Sequence, residues 1–288
     1  MKKGLNFRTI ESQKEYFDTY EEALKLVPVP FNEKYITTSF GDSYVICAGN
    51  EKNPPLVLLH AASCGSIIWY NNIPFWSKYF CVYAIDLIGE SSKSILTKKM
   101  KTSQDNAQWL DETLAGLGLD KVFLCGISIG GWNAVNYAGF YPKKVMKLIL
   151  LSPVQTFAKM YRSFFIKIMK MGFNPTRKNV ENYIGWGSEK EEPLPDSIIK
   201  LFTISVMNMN SNASFPKWIK KNHLLNVNMP VLVMMGENEF AFSVNSATKR
   251  AKSVISNLEL YIVAEASHLL CASKPKKINH RVLEFLLK

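Results

Sequence analysis

The chain has 288 residues, 47% of them hydrophobic and 20% charged, which is the composition of an ordinary globular protein with one large or two small domains. No apolar run is long enough to span a bilayer, and the lysines near the N-terminus are not followed by the apolar segment of a signal peptide. The net charge of +11 comes from scattered lysines and arginines without a recognition motif, which argues against nucleic-acid binding. It predicts instead a basic surface that steers anionic substrates or rests weakly on acidic membranes.

The five cysteines are odd in number and show no CxxC spacing. Several of them lie in apolar segments that we predict to be strands. We therefore expect reduced thiols in a cytoplasmic protein and no disulfide bonds.

The first 120 residues alternate between helical and strand patterns. The predicted elements are a helix over 9–27, a hairpin around Gly41-Asp42, buried strands over 56–60 and 80–86, and a helix over 103–117. The pattern changes after a buried strand over 145–153. From Gln155 to about Leu224 the sequence predicts only helical stretches.

Strand and helix patterns alternate again in the last quarter of the chain. The predicted elements there are a strand beginning at Pro230, a helix over 243–255, a strand over 258–264 and a helix over 275–287. This order predicts a mostly parallel sheet covered by helices on both faces, with a helical insertion after about the sixth strand. The predicted divisions are a core over 1–154, a lid over 155–224 and the rest of the core over 225–288.

Residues 122–134 carry the strongest catalytic signal. A short apolar strand leads into Gly126-Ile127-Ser128-Ile129-Gly130, and a helix follows. A turn this sharp exposes the central serine at the end of the sheet, beside the unpaired N–H groups of the helix. We predict that Ser128 is a nucleophile; the alternative is a glycine-rich turn that only packs the helix tightly on the strand.

A serine nucleophile needs a base, and the chain has four histidines. His60 ends a strand and is interpreted as structural, while His223 and His280 are interpreted as surface or packing residues. His268 follows the strand over 258–264, at the sheet edge where the loops after parallel strands meet. We predict that His268 is the general base; the alternative is a buried structural histidine.

The acid that orients the base is expected in the loop after the preceding strand, which contains both Glu237 and Glu239. Glu239 is preferred because it lies farther from the strand end, and Glu237 remains open. The oxyanion hole is expected to use the backbone N–H groups of Ile129 and Ala62. The small residues Ala61 and Ala62 would equally suit simple tight-turn packing.

From about residue 33 onward the chain resembles the α/β-hydrolase superfamily, particularly its lidded carboxylesterase-like branch, which includes bacillus-type carboxylesterases. The resemblance is carried by the segments LVLLHAAS, AIDLIGESSKS, VFLCGISIGGWNA, LILLSP, PVLVMMGENE and EASHLL. It implies an α/β-hydrolase fold and the catalytic order Ser128, Glu239, His268.

Two departures from the family pattern stand out. Ala61 replaces the usual glycine after the histidine, and Glu239 replaces the usual aspartate. Dehalogenase-like and epoxide-hydrolase-like members carry aspartate at the position that Ser128 occupies here, so Ser128 argues against both activities. Asp86 is therefore interpreted as a structural carboxylate at a strand end.

The predicted lid contains 11 basic and 5 acidic residues and five of the 11 methionines, together with many aromatic residues. Such a surface over Ser128 would accept apolar acyl or alcohol groups of varied shape. The alternative is that these side chains form the core of the lid itself.

The sequence therefore predicts a serine hydrolase that cleaves small to medium carboxylic esters and needs no metal or organic cofactor. The expected partner is a small-molecule ester, and the oligomeric state is left open. Alternatives within the same mechanism are amide, thioester and carbon–carbon bond hydrolysis. An alternative from a different class is a non-catalytic receptor with a hydrolase fold.

Overall fold

The computed structural model describes residues 5–90, 92–173, 176, 178–180, 194–208 and 216–288. The strands are β1 Phe31–Thr38, β2 Gly41–Ala48, β3 Pro55–Leu59, β4 Cys81–Ile85, β5 Ile95–Leu96, β6 Val122–Ile127, β7 Val145–Leu151, β8 Val231–Gly236 and β9 Leu258–Val263. The helices are α1 Ile10–Leu24, α2 Ile73–Trp76, α3 Ser103–Gly116, α4 Ile129–Phe140, α5 Arg162–Phe173, α6 Asp196–Asn208, α7 Lys221–Leu224, α8 Val244–Val254, α9 Leu270–Ser273 and α10 Pro275–Leu287.

The strands of this described part form one sheet in the order β1-β2-β4-β3-β6-β7-β8-β9, with β5 beside β2. Pairs from β4 to β9 along this order are parallel, whereas β1, β2 and β4 pair antiparallel. The central strands are buried on both faces. Their side chains belong to two apolar clusters, one between the sheet and each layer of helices. The predicted mostly parallel, doubly covered sheet is therefore confirmed.

Two local predictions differ from the structure. The hairpin turns at Ser39 and Phe40, and Gly41 already pairs with Thr38 as the first residue of β2. Glu112 of α3 shapes this turn, because its carboxylate accepts hydrogen bonds from the Ser39 N–H at 2.6 Å and the Ser39 hydroxyl at 2.9 Å. A short-range turn signal does not contain this long-range contact.

The second difference is the number of strands before the insertion, which is seven rather than about six in the described residues. The additional strand, β5, is only two residues long and pairs at the start of β2. So short a strand has no alternation by which a sequence could predict it.

The two ends of the helical insertion lie together on the core. The Ile219 N–H donates to the Gln155 carbonyl at 3.1 Å. Arg250 of α8 donates to the carbonyls of Thr156 at 3.0 Å and Ile219 at 2.8 Å, and its guanidinium lies 3.9 Å from the ring centroid of Trp218. The chain thus leaves and re-enters the core at one place, as an insertion requires.

Helices α5 and α6 belong to this insertion. Residues 174–175, 177, 181–193 and 209–215 lie outside the described residues, and with them lies part of the predicted methionine- and aromatic-rich surface. Within the described segments, no helix is both long and apolar enough to cross a bilayer.

Candidate active site

Ser128 lies at the turn between β6 and α4 with φ 55° and ψ −114°, a backbone conformation that L-residues rarely adopt. The two flanking glycines allow this turn. A Cβ on Gly126 would lie 2.3 Å from the Gly130 carbonyl oxygen, and one on Gly130 would lie 2.2 Å from the Leu59 carbonyl oxygen. The helix therefore starts so close to β3 and β6 that only glycine fits on either side of the serine.

His268 and Glu239 complete a hydrogen-bonded chain with this serine. The Ser128 Oγ lies 2.8 Å from Nε2 of His268, and Nδ1 of His268 lies 2.8 Å and 2.9 Å from the two carboxylate oxygens of Glu239. An imidazole that carries its proton on Nδ1 leaves Nε2 free to accept the serine proton. The carboxylate stabilises that tautomer and the imidazolium that forms after proton transfer.

The Glu239 carboxylate is held in its charged form. Its side chain is fully buried, which by itself would raise the pKa. The attraction and hydrogen bonds of His268, together with the Ala241 N–H that donates at 2.8 Å, outweigh burial and lower the pKa of Glu239 below its ordinary value. Glu237 is exposed, and its carboxylate accepts instead from the Glu265 N–H at 3.0 Å. Of the two acids left open by the sequence, the structure brings Glu239 to His268.

The two expected oxyanion donors lie at the start of α4 and in the loop after β3. Ile129 is the first residue of α4, and the first helical hydrogen bond runs from the Trp132 N–H to the Ser128 carbonyl. The Ile129 N–H is therefore one of the helix-start donors that the helix itself does not use. Ala62 lies in the exposed part of the loop after β3.

His60 anchors this loop. It is fully buried, its Nε2 accepts from the Leu87 N–H at 2.8 Å, and its Nδ1 donates to the Ala61 carbonyl at 2.7 Å. Both ring nitrogens are thus used by backbone groups. This arrangement agrees with the structural role expected from the sequence.

Asp86 anchors the same loop at Ser66, four residues after Ala62. Its Oδ1 accepts from the Ser66 N–H at 2.6 Å, from the Ser66 hydroxyl and from the Tyr20 hydroxyl at 2.9 Å, while Oδ2 accepts from the Lys93 N–H at 2.7 Å. A carboxylate with four donors is fully occupied, which agrees with its interpretation as structural.

Glu90 is a third anchor, and sequence reasoning missed it. Its Oε2 accepts from the Ser63 N–H at 3.2 Å, one residue beyond Ala62, and its side chain lines a small cleft with Ile129 and Asn133. Burial raises the pKa of Glu90 above the ordinary carboxyl value, and the hydrogen bond from the Ser63 N–H offsets this only in part. Nothing in a single sequence marks this glutamate as buried.

Because burial disfavours the ionised form of Glu90, the effect of this residue on the stability of the fold depends on pH. A carboxyl whose pKa is raised in the folded state does not lower the free energy of unfolding at pH values below its unfolded pKa, near 4.5. It lowers that free energy progressively as pH rises from there through the folded pKa. Glu90→Gln keeps an oxygen for the Ser63 N–H without the charge. We expect the melting temperature of Glu90→Gln relative to wild type to increase between pH 4 and pH 8. A difference that is flat or decreases with pH would contradict this.

Three phenylalanine rings surround His268. The ring centroids of Phe240, Phe164 and Phe242 lie 5.5, 6.3 and 6.5 Å from that of His268. Phe164 belongs to α5, which is part of the insertion. Tyr161, the residue just before α5, donates its N–H to the Ala241 carbonyl at 2.8 Å. The insertion is therefore attached to the segment that follows Glu239, and one of its side chains, Phe164, lies beside the histidine.

Comparison with known proteins agrees with this architecture. A family model described as alpha/beta hydrolase fold matches residues 54–171. The chain is 35% identical to an uncharacterized carboxylesterase, nap, of Bacillus subtilis (strain 168), over 94% of this chain and 91% of that protein. It is 31% identical to the carboxylesterase YbfK of the same organism, over 98% of this chain and 97% of that protein.

Two solved structures from Bacillus subtilis have the same fold over nearly their whole length. Carboxylesterase CesB (YbfK) superposes with a TM-score of 0.91 at 30% identity, covering 96% of this chain and 99% of that one. Naproxen esterase (carboxylesterase NP) superposes with a TM-score of 0.91 at 32% identity, covering 97% of this chain and 99% of that one.

Proposed function

The chain belongs to the α/β-hydrolase family, and we propose that it is a serine carboxylesterase that cleaves small to medium carboxylic esters through an acyl-enzyme on Ser128. The observation that carries the proposal is the continuous hydrogen-bonded chain from Ser128 through His268 to the buried Glu239. A receptor that only binds a ligand has no need of a serine in a strained turn next to an oriented base.

In acylation, the Ser128 Oγ forms a bond to the ester carbonyl carbon while its proton passes to Nε2 of His268. The N–H groups of Ile129 and Ala62 hold the resulting oxyanion. The tetrahedral intermediate then expels the alcohol, which takes the proton from His268. Water, deprotonated by His268, attacks the acyl-enzyme to form a second oxyanion. The bond from the acyl carbon to the Ser128 oxygen then breaks, that oxygen takes the proton back from His268, and the carboxylic acid leaves. Glu239 orients His268 in both halves.

We further propose that residues 155–224 form a lid over this site. The joined ends of the insertion at Gln155 and Ile219 and the position of Phe164 beside His268 support this assignment. Ser128 itself is only 8% exposed, so a substrate needs the covering side chains to move. The phenylalanines around His268 suit apolar acyl or alcohol groups better than charged ones.

Turnover of p-nitrophenyl esters from acetate to dodecanoate tests the substrate class. We expect Ser128-dependent hydrolysis with kcat/KM highest for short to medium acyl chains, because long chains exceed the covered site. Ser128→Ala, assayed in parallel, measures the background. A folded wild-type protein that hydrolyses none of these esters would contradict the carboxylesterase proposal.

A further inference from the structure

The outward side of α5 carries an unusual set of side chains. Phe164, on the inward side, is 3% exposed, whereas Phe165, Ile166 and Met169 are 42%, 49% and 42% exposed. Single exposed apolar residues are common on soluble proteins and need no explanation. Three within five residues, on one side of one helix, form a patch of the kind that marks an interaction surface.

Positive charge accompanies this patch. Arg162, Ile166, Met169 and Lys170 have the spacing i, i+4, i+7, i+8, so they share one side of the helix. No aspartate or glutamate occurs in the sequence between residues 154 and 180, whereas six lysines and arginines do. A helix with exposed apolar side chains bordered by cations and no anions has the features of one that lies at the surface of an anionic lipid layer.

The same charge disfavours a second copy of the chain as the occupant. A symmetric dimer through α5 would place Arg162 and Lys170 of one protomer against the same residues of its partner. Like charges brought together at an interface oppose association. The chemistry of the patch therefore fits an anionic partner with an apolar interior.

The patch also lies next to the site. The inward residue of this helix, Phe164, contacts the ring of Phe240 at 5.7 Å and that of His268 at 6.3 Å between centroids. A surface bound to the outer side of α5 is thus separated from His268 by about the width of one helix, on the order of 10 Å.

We propose that the outer face of α5, formed by Arg162, Phe165, Ile166, Met169 and Lys170, docks on the surface of anionic lipid bilayers. The consequence that membrane-dissolved esters reach Ser128 from this side rests on the proposed function; the docking itself does not.

Cosedimentation with vesicles tests the docking. The wild-type protein is mixed with vesicles of phosphatidylcholine alone, and with vesicles of phosphatidylcholine and phosphatidylglycerol in equal parts. We expect binding that requires phosphatidylglycerol and weakens as salt rises from low to high concentration, because the lysine and arginine contribution is screened. Equal binding to both vesicle types, or no binding to either, would overturn the proposal.

Two double variants separate the apolar and charged contributions. Ile166→Ser with Met169→Ser, and Arg162→Glu with Lys170→Glu, should each weaken binding to the anionic vesicles by at least about tenfold. The matched control combines Leu287→Ser with Lys276→Glu, an exposed apolar and an exposed basic residue of α10, and should bind like wild type. Equal binding by the α5 variants and wild type would show that this face is not the docking surface.

Two further measurements keep the outcomes apart. The α5 variants should hydrolyse a short soluble ester at the wild-type rate. If neither wild type nor the variants hydrolysed it, that result would count against the proposed function and not against docking. Sedimentation velocity measures the oligomeric state without lipid. If the wild-type protein were a dimer and the Ile166→Ser, Met169→Ser variant a monomer, the patch would be an interface between two copies of the chain, and the lipid proposal would be overturned.

Discussion

Ser128→Ala and His268→Ala are each expected to lower ester turnover by about four to six orders of magnitude, since each removes a group without which no acyl-enzyme forms. Because the residues act as a unit, the double variant should be little slower than either single variant. The remaining rate is that of a folded site whose oxyanion donors still polarise the carbonyl. Initial rates with a short p-nitrophenyl ester measure all three variants.

Stability measurements accompany these rates. Ser128→Ala should melt at or near the wild-type temperature, because it removes one oxygen and relaxes nothing else in the turn. His268→Ala leaves the buried Glu239 without its partner and is expected to lose roughly 3 kcal/mol or more of unfolding free energy. For this reason His268→Gln serves as its companion. If either purified, folded variant kept a tenth of the wild-type rate, the assignment of that residue would be wrong.

The second large effect is expected at Glu239. Glu239→Gln keeps the shape of the side chain but removes the charge that holds the Nδ1 proton and stabilises the imidazolium, so kcat should fall by about three to four orders of magnitude. The effect should be smaller than that of Ser128→Ala.

Glu237→Gln is the matched control, because it makes the same chemical change two residues away. Glu237 is exposed, and its carboxylate accepts from the Glu265 N–H in the loop before His268, so the kcat of Glu237→Gln should stay within about twofold of wild type. The ratio of the two kcat losses is the quantity to compare. A larger loss for Glu237→Gln than for Glu239→Gln would reverse the choice of acid.

The elements that the sequence could predict are those with a local cause. Buried parallel strands appear as continuous apolar runs. The turn at Ser128 needs glycine on both sides because a Cβ on Gly126 would meet the backbone at the start of α4 and one on Gly130 would meet the end of β3. The loops after parallel strands meet at one edge of the sheet, which is why the sequence alone predicts that Ser128, Glu239 and His268 lie together.

The features that could not be predicted arise from contacts between distant segments. Glu112 shapes the turn at Ser39 from 73 residues away, and Glu90 reaches the Ser63 N–H across 27 residues. The choice between Glu237 and Glu239 depended on the path of one loop, which no composition or spacing records. The phenylalanines beside His268 come from the insertion and from the segment after β8, and only the fold brings them together.

The most direct test of the account is to identify the acylated residue. Wild-type protein is mixed with a p-nitrophenyl ester, quenched in acid during the initial burst, digested and mapped by mass spectrometry. We predict one acyl group per chain, on the peptide that contains Ser128, and none in Ser128→Ala. An acyl group on another residue, or full turnover by Ser128→Ala without any adduct, would contradict the mechanism.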